Sequence, residues 1–387
     1  MKDLKIFAKT IDENAKKQID LLLDQDAFKD CKVRIMPDVH AGAGCVIGFT
    51  ANLGDKVIPN IVGVDIGCGM LTVSLGKIDI DYEKLDSVIR EHIPSGMKVH
   101  DYWEVDELIN GLDCFDSLRN IEHLYASMGT LGGGNHFIEI DEDDEGGKYL
   151  IIHTGSRNLG KQVAEIYQDI AVKKLHSTKN IRVALISRLK REGREKEISE
   201  ELKKIKSKCK IPKDLCYLEG EDRQNYLSDM FDCQIWAKLN RQTIAAVICH
   251  FMEFEIIGVF ETIHNYIDAF NMVRKGAISA HKNQKVLIPM NMRDGCIIGV
   301  GLGNEDWNCS APHGAGRIMS RKQAKEKISL SEYQNSMTGI YTTSATAETI
   351  DEAPQAYKPS DEIIELISET IKIEKIIKPV YNFKASE

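Results

Sequence analysis

No apolar run in this sequence approaches the roughly 20 residues that a helix needs to cross a bilayer. The first ten residues lack an apolar core ahead of a small-residue cleavage site, so no secretory signal is expected there. None of the ten cysteines belongs to a C-x-x-C pair, and ten in 387 residues are too sparse for a disulfide scaffold. Most of them are expected to be small buried hydrophobes in a reducing cytoplasm. Positive charge is not in excess either. A net charge of -9 argues against a basic nucleic-acid coat, although a local basic groove survives such an average. No internal repeat or low-complexity linker divides the chain. What is present, 43% hydrophobic and 28% charged residues, suffices for a substantial core.

The apolar pattern predicts an α+β fold. Residues 1–30 read as a short strand and then a helix with Ile19, Leu22 and Leu23 on one face. Between 31 and 75, short apolar runs at 32–36, 45–50, 56–58, 61–64 and 70–75 alternate with Gly and Pro, which predicts strands and tight turns. Helices are expected at 81–92 and 118–128, and strands at 134–141 and 148–154 around an acidic turn. From about 161 to 249 the chain reads as helical, with 173–210 a charged hairpin facing solvent. Strands return at 254–264, 286–289 and 296–301, and a last helical part covers 320–327 and 361–373. The expectation is a single catalytic body over 1–387, with a strand-rich core around a metal cleft and 161–249 as a helical insertion.

Four segments concentrate Asp, Cys, His and Gly beyond what packing requires. In Val64-Asp65-Ile66-Gly67-Cys68-Gly69-Met70, a carboxylate and a thiol three residues apart in a Gly-rich turn can face one point. A structural turn with a buried Cys fits the same residues. Gly132-Gly133-Gly134-Asn135-His136-Phe137-Ile138-Glu139 spends three glycines before Asn-His, as a backbone approached closely by another group would need. His136 and Glu139 should point to opposite faces of the strand. Leu150-Ile151-Ile152-His153-Thr154-Gly155-Ser156-Arg157 ends a strand on a His. Ala311-Pro312-His313-Gly314-Ala315-Gly316-Arg317 holds a His between Pro and Gly, with an Arg four residues on to pair with a phosphate. His264 also follows an apolar run. Any one of these histidines alone reads as a core residue, but together they cluster at strand ends, where sites are built. The stretch 155–162 has the Gly and Lys spacing of a phosphate-binding loop, but Gln162 stands where Ser or Thr would hold Mg²⁺. Gly42-Ala43-Gly44 lacks the third Gly and the helix of a dinucleotide loop.

Taken in order, Met36-Pro37-Asp38-Val39-His40, 64–70, 132–137, 153–157, His264-Asn265, 310–317, 351–358 and 380–384 resemble the successive motifs of the RtcB family of RNA-splicing ligases, across nearly the whole chain. The resemblance implies an enzyme dependent on GTP and Mn²⁺. It would join RNA 3′-phosphate or 2′,3′-cyclic phosphate ends to 5′-hydroxyl ends, in tRNA splicing or RNA repair. It implies two Mn²⁺ bridged by Cys68, one completed by His153 and His264, the other by Asp65 and His136. His313 is implied as the nucleophile toward the α-phosphate of GTP. Asn135 and Ser310 would contact the nucleotide phosphate, Glu139 and Lys384 guanine, and Tyr357 the region of the base. Gly314, Ala315, Gly316 and Arg317 complete the implied nucleotide set, and Arg157 is a further candidate phosphate contact. The implied partners are RNA and GTP, with room for an activating protein and none for a membrane. Pro289-Met290-Asn291-Met292-Arg293 departs from the Gly-Ser step of many members, and Thr154 stands where a second Ser is common. Two other readings use the same residues. A binuclear phosphoesterase would need no covalent acceptor such as His313, and an RNA-binding factor would be indifferent to metal and GTP.

Overall fold

The computed structural model describes residues 3–385 except 206 and 208. It is an α+β protein. Seven strands form one antiparallel sheet, in the order Lys285–Asn291, Gly295–Gly301, Ile371–Lys384, Phe137–Glu142, Lys148–Thr154, Gly69–Gly76 and Gly258–Ile263. The sheet curls until its edges meet, where the backbone N–H of Leu287 donates to Thr262 Oγ1 at 3.1 Å. Closing a sheet this way leaves little unpaired edge. A second sheet of five strands runs Asp3–Ile6, Lys32–His40, Ile47–Asn52, Met272–Lys275 and Asn265–Ile267, with only the first pair parallel. A two-stranded ribbon, Ala277–Ser279 with Ser310–Pro312, leads into His313.

The first helix, Glu13–Leu23, starts where Asp12 accepts hydrogen bonds from the amides of Asn14 and Ala15, and it buries Ile19, Leu22 and Leu23 as the spacing predicts. The predicted helical stretch after 161 separates into parts. The helices Arg157–Leu175 and Gly220–Met252 have buried faces, the second through Tyr226, Trp236 and Ile244, so they belong to the core. Between them, Lys179–Arg191 and Ile198–Lys204 bury almost nothing, and the second carries the short-range ion pair Lys204–Glu201. Residues 206 and 208 of the predicted hairpin lie outside the described residues.

Three local expectations are corrected. The runs at 56–58 and 61–64 do not form strands: Pro59 opens a short helix, Pro59–Val62, since Pro at the first helical position gives up an amide that had no partner there. The helix expected over 118–128 shrinks to Ile121–Tyr125. The helix expected over 361–373 stops at Leu366, a single 3₁₀ turn follows, and Ile371 begins the 14-residue strand Ile371–Lys384. Its first residues, Ile371 to Ile373, suit a helix or a strand about equally; the strand then carries one bulge opposite Ile298 and Gly299 before it reaches Pro379. The ladder shifts register there, between Pro379 and Tyr381, so the strand absorbs a residue that cannot donate.

This strand bridges the two halves of the large sheet, and its faces are sharply unequal. Ile377 is fully buried while its neighbour Ile376 is 36% exposed. Truncating Ile377 to Ala should therefore cost about 2–5 kcal/mol in urea unfolding, and Ile376→Ala well under half of that. Equal losses would mean that the register is wrong.

Candidate active site

Register brings the sequence motifs together. Gly69 pairs with Thr154 on one side and Ile263 on the other, and Phe137 pairs with His153. Cys68, His136, His153 and His264 therefore stand in a row across four strand ends, and the amide of His264 donates to Cys68 O at 2.9 Å. Gly155 backs Cys68 so closely that a Cβ there would lie 3.1 Å from the Cys68 Cα, which accounts for a glycine at that position.

Ligand atoms of Cys68, His153 and His264 lie within 4.8 Å of one another. Cys68 Sγ is 3.4 Å from His153 Nε2 and 3.5 Å from His136 Nε2. The opposite ring nitrogens are tied to backbone: His136 Nδ1 lies 2.8 Å from Leu131 O and His153 Nδ1 lies 3.2 Å from Asn135 O. A nitrogen bonded to a carbonyl must carry the proton, so each Nε2 presents a lone pair toward the thiol. Among the described residues His264 Nδ1 is buried with no hydrogen-bond partner. Burial lowers His136 to about 4 and holds His153 and His264 well below the usual imidazole range, so all three are neutral at pH 7. Burial also pushes the Cys68 thiol up, with Asp65 adding to the effect, so only a cation at this point would make it a thiolate. A soft sulfur among neutral imidazoles, with an orphaned ring nitrogen, fits a divalent transition metal. Asp65 shares the turn, its carbonyl accepting from the Cys68 amide at 3.1 Å, and its side chain lines the cavity.

The ligand row is braced from behind by the helix Gly220–Met252. Arg241 is fully buried. Its Nη1 donates to Gly67 O at 2.8 Å and Thr154 O at 2.7 Å, and its Nε pairs with Glu261 at 2.7 Å. Asn240 accepts from the amides of Gly129 and Thr130 and donates to Thr130 O and Gly155 O. Sequence reading missed both, because an Arg inside a long helix looks like a surface residue.

His313 faces the same cavity, its ring 4.9 Å from that of His264. Asp38 holds it, with Oδ2 lying 2.6 Å from His313 Nδ1 and 3.2 Å from the His313 amide. Asp38 reaches this position through a bulge. Ile35 pairs with Phe49 and His40 with Ile47, so residues 36–39 stand against Gly48 alone, and Pro37 cannot repair the ladder. On the opposing loop, Gly316 has φ +76, and a Cβ there would lie 2.3 Å from Asp38 O, so only glycine lets the two segments approach. Lys358 Nζ donates to Pro37 O at 2.8 Å and fixes the bulge.

The cavity holds about 910 Å³, room for a nucleotide, and its wall includes Asn135, Glu139, Gly314, Arg317, Tyr357 and Lys384. Ala315 and Gly316 line it too, as does the divergent segment from Pro289 to Met292. Glu352, to which sequence reading gave no role, is the hub of the basic wall. Lys384 Nζ and Tyr357 Oη donate to its Oε2, at 2.6 and 2.5 Å, and Arg317 Nη1 donates to its Oε1 at 3.2 Å. Burial would raise this carboxyl, but Lys384, Arg317 and Arg321 overcome it and hold it at about 2. Glu139 has the opposite fate: burial raises it to about 7 against the pull of Cys296, Asn382 and Lys384.

Two candidate residues lie elsewhere. Ser310 is buried behind the wall, its Oγ donating to Asn308 O at 2.8 Å and accepting from Arg274 at 3.0 Å. Arg157 turns from the cavity to Thr130 Oγ1 and Gly96 O, and its guanidinium lies where a Cβ on Gly132 would stand. The glycine-rich loop thus admits an arginine side chain. The phosphate-loop spacing at 155–162 is not realised: Ser156 donates to Ile66 O and Lys161 pairs with Glu165 on the surface.

A carboxylate-held histidine thus stands beside a thiol–imidazole cluster that could hold a metal ion, the arrangement of a candidate metal-assisted enzyme. Residues 27–115 and 113–385 match the family described as tRNA-splicing ligase RtcB, and the chain belongs to that family. It is 31% identical over 387 aligned residues to the RNA-splicing ligase RtcB of Escherichia coli strain K12, covering 88% of this chain and 87% of that one. It is 29% identical to the tRNA-splicing ligase RtcB of Nanoarchaeum equitans, covering 89% and 85%. With that of Thermococcus kodakarensis the identity is 26%, covering 87% and 83%.

Two outcomes follow from this geometry. Arg241→Met strands two buried carbonyls and Glu261, and it should cost about 3–5 kcal/mol in urea unfolding. A loss under about 1 kcal/mol would show that the brace is dispensable. Glu352 contributes stability that is full above its ordinary 4.5 and fades as pH falls toward about 2, because its folded-state value is depressed. The melting-temperature gap between the parent and Glu352→Gln should therefore be widest near neutrality and close between those two values. A gap that stays constant through acid would refute the assignment.

Proposed function

We propose that this protein is a GTP- and Mn²⁺-dependent RNA ligase acting as one catalytic body over its whole length. It would join RNA ends bearing 3′-phosphate or 2′,3′-cyclic phosphate to ends bearing 5′-hydroxyl, in splicing or repair. The observation that carries the reading is the Asp38–His313 pair, set in a nucleotide-sized cavity beside the Cys68 cluster. Asp38 keeps the proton on Nδ1, which leaves Nε2 with the lone pair. Nε2 attacks the α-phosphorus of GTP, the bond to the bridging oxygen breaks and pyrophosphate leaves, giving a phosphoramidate on His313. The guanylyl group then passes to the RNA 3′-phosphate. The 5′-hydroxyl of the second RNA attacks, a phosphodiester forms and GMP departs.

Cys68 with His153 and His264 would hold one metal, and Cys68 with Asp65 and His136 a second. Bound there, the metals would supply charge neutralisation for the phosphates and help align them. Thiol and imidazole donors suit Mn²⁺ without excluding Zn²⁺ or Co²⁺. Glu139 and Lys384 would read guanine, with Tyr357 against the base. Asn135 and the Gly314–Gly316 turn would contact phosphate. Arg317, already paired with Glu352, would add a charge-assisted bond to the nucleotide. For Ser310 to join them its hydroxyl must leave Asn308. The cytoplasm is the proposed compartment, and an activating protein is a proposed partner. No helix among the described residues is long and apolar enough to cross a membrane.

Incubating the protein with Mn²⁺ and α-labelled GTP should leave acid-labile label on the denatured chain. His313→Ala should remove it completely while metal content is unchanged. Asp38→Asn, which keeps the shape but not the charge, should slow labelling by roughly 10²–10⁴-fold. Label that survives His313→Ala would refute the nucleophile, and label absent from the parent with metal bound would favour hydrolysis by water.

A further inference from the structure

Behind the cavity floor, Glu139 and Asp141 project from the same face of their strand, two residues apart. Cys296, on Gly295–Gly301, stands opposite, its Sγ 3.3 Å from Glu139 Oε1. One ligand atom from each of the three lies within 4.8 Å of the others. All are buried, at 3%, 0% and 1% exposure for Glu139, Asp141 and Cys296. Their surroundings are apolar, formed by Met70, Phe137, Ile151, Leu287 and Ile298. Among the described residues neither carboxylate oxygen of Asp141 has a hydrogen-bond partner beyond the Cys296 thiol. Asn382 brings its amide head to the same place: Nδ2 donates to Glu139 Oε2 at 2.8 Å, while its Oδ1, also buried, has no partner among the described residues.

Two buried carboxyl groups and a thiol share one amide donor. Lys384 and Lys378 act on them only from a distance, being bonded elsewhere. Lys378 donates to Asp294 O at 3.0 Å, and Lys384 is held by Glu352. We infer that Cys296, Glu139 and Asp141 form a second cation site, distinct from the Cys68 cluster, that takes a divalent transition metal of the zinc class. Sulfur with two carboxylates selects a borderline cation over Mg²⁺ or Ca²⁺, which prefer oxygen alone. On coordination the Cys296 proton and the proton shared by the two carboxyls are released to solvent. Three protein ligands leave a fourth position for water or the Asn382 oxygen. Entry runs past Glu139, which lines the large cavity while Asp141 and Cys296 lie behind it. Occupancy turns Glu139 inward. On the ligase reading above, on which this one consequence rests, a filled site weakens guanine binding.

The test uses Cd²⁺ alone as probe, on full-length protein carrying Cys68→Ala so that the other centre offers no sulfur. A thiolate-to-cadmium absorption band should appear and saturate at a single equivalent. Adding Cys296→Ser should abolish the band, and adding Asp141→Asn should weaken affinity about tenfold or more. Cys31→Ser, remote from the cluster, should change neither. No band in the Cys68→Ala protein, or a band indifferent to both substitutions, overturns the site and leaves the two carboxyls sharing a proton. Should Cys296→Ser fail to fold, the nearly isosteric Asp141→Asn decides alone. GTP labelling of the parent is scored separately, so failure of this site and failure of the ligase reading remain distinguishable.

Discussion

The site hangs on one buried arginine. Arg241 reaches from the middle of a 33-residue helix to the carbonyls of Gly67 and Thr154 and to Glu261. Gly67 precedes Cys68 and Thr154 follows His153, so one guanidinium fixes the backbone on both sides of the Cys68–His153 contact. Only its planar fork of donors spans two carbonyls and a carboxylate at once; a lysine would satisfy one or two. Asn240, one residue earlier, treats the Gly129–Thr130 turn and Gly155 in the same way. Strand ends are where backbone groups lose ladder partners, and helix side chains supply them here. The ligand row is thereby rigid before any cation arrives, and its geometry is not left to the cation to impose.

On the proposed function, the two histidine roles divide by what sits on Nδ1. For His136 and His153 it is a neutral backbone carbonyl, which sets the tautomer and leaves a ligand nitrogen. For His313 it is the carboxylate of Asp38, which sets the same tautomer and also stabilises positive charge on the ring. A metal ligand needs the first and a nucleophile the second, because only the nucleophile gains charge when it forms a bond to phosphorus. The fold produces the difference through a strand interrupted at Pro37 and a glycine at 316, neither of which is chemical itself.

Much of this was legible in the sequence. Asp65, Cys68, His136, His153 and His313 were marked by neighbouring glycines and His264 by the apolar run before it; the structure sets all but His136 on one cavity and His136 against Cys68. What escaped was of two kinds. The supporting residues, Arg241, Asn240 and Glu352, sit in segments whose local pattern is that of an ordinary helix or turn, and their partners are distant in sequence. The closing strand escaped because Ile371 to Ile373 suits a helix or a strand about equally, and only its place between Gly295–Gly301 and Phe137–Glu142 decides. Gly132 was noticed for the right property: its backbone is approached closely, by the side chain of Arg157.

The overall charge of -9 and an anionic substrate are reconciled at Glu352. Lys384, Arg317 and Arg321 converge on the cavity wall, yet each is already paired with Glu352. Free, these cations would hold any phosphate that entered, and their mutual repulsion would cost stability. Paired, they are offset until a ligand offers better-placed acceptors. Lys384 is buried beside its carboxylate, so exchanging Glu352 for another acceptor costs most of a buried ion pair unless the newcomer satisfies the same geometry. The arrangement gives up raw affinity for discrimination. Bulk polyanions gain little from the wall, and a ligand that places acceptors at both Lys384 and Arg317 gains from each.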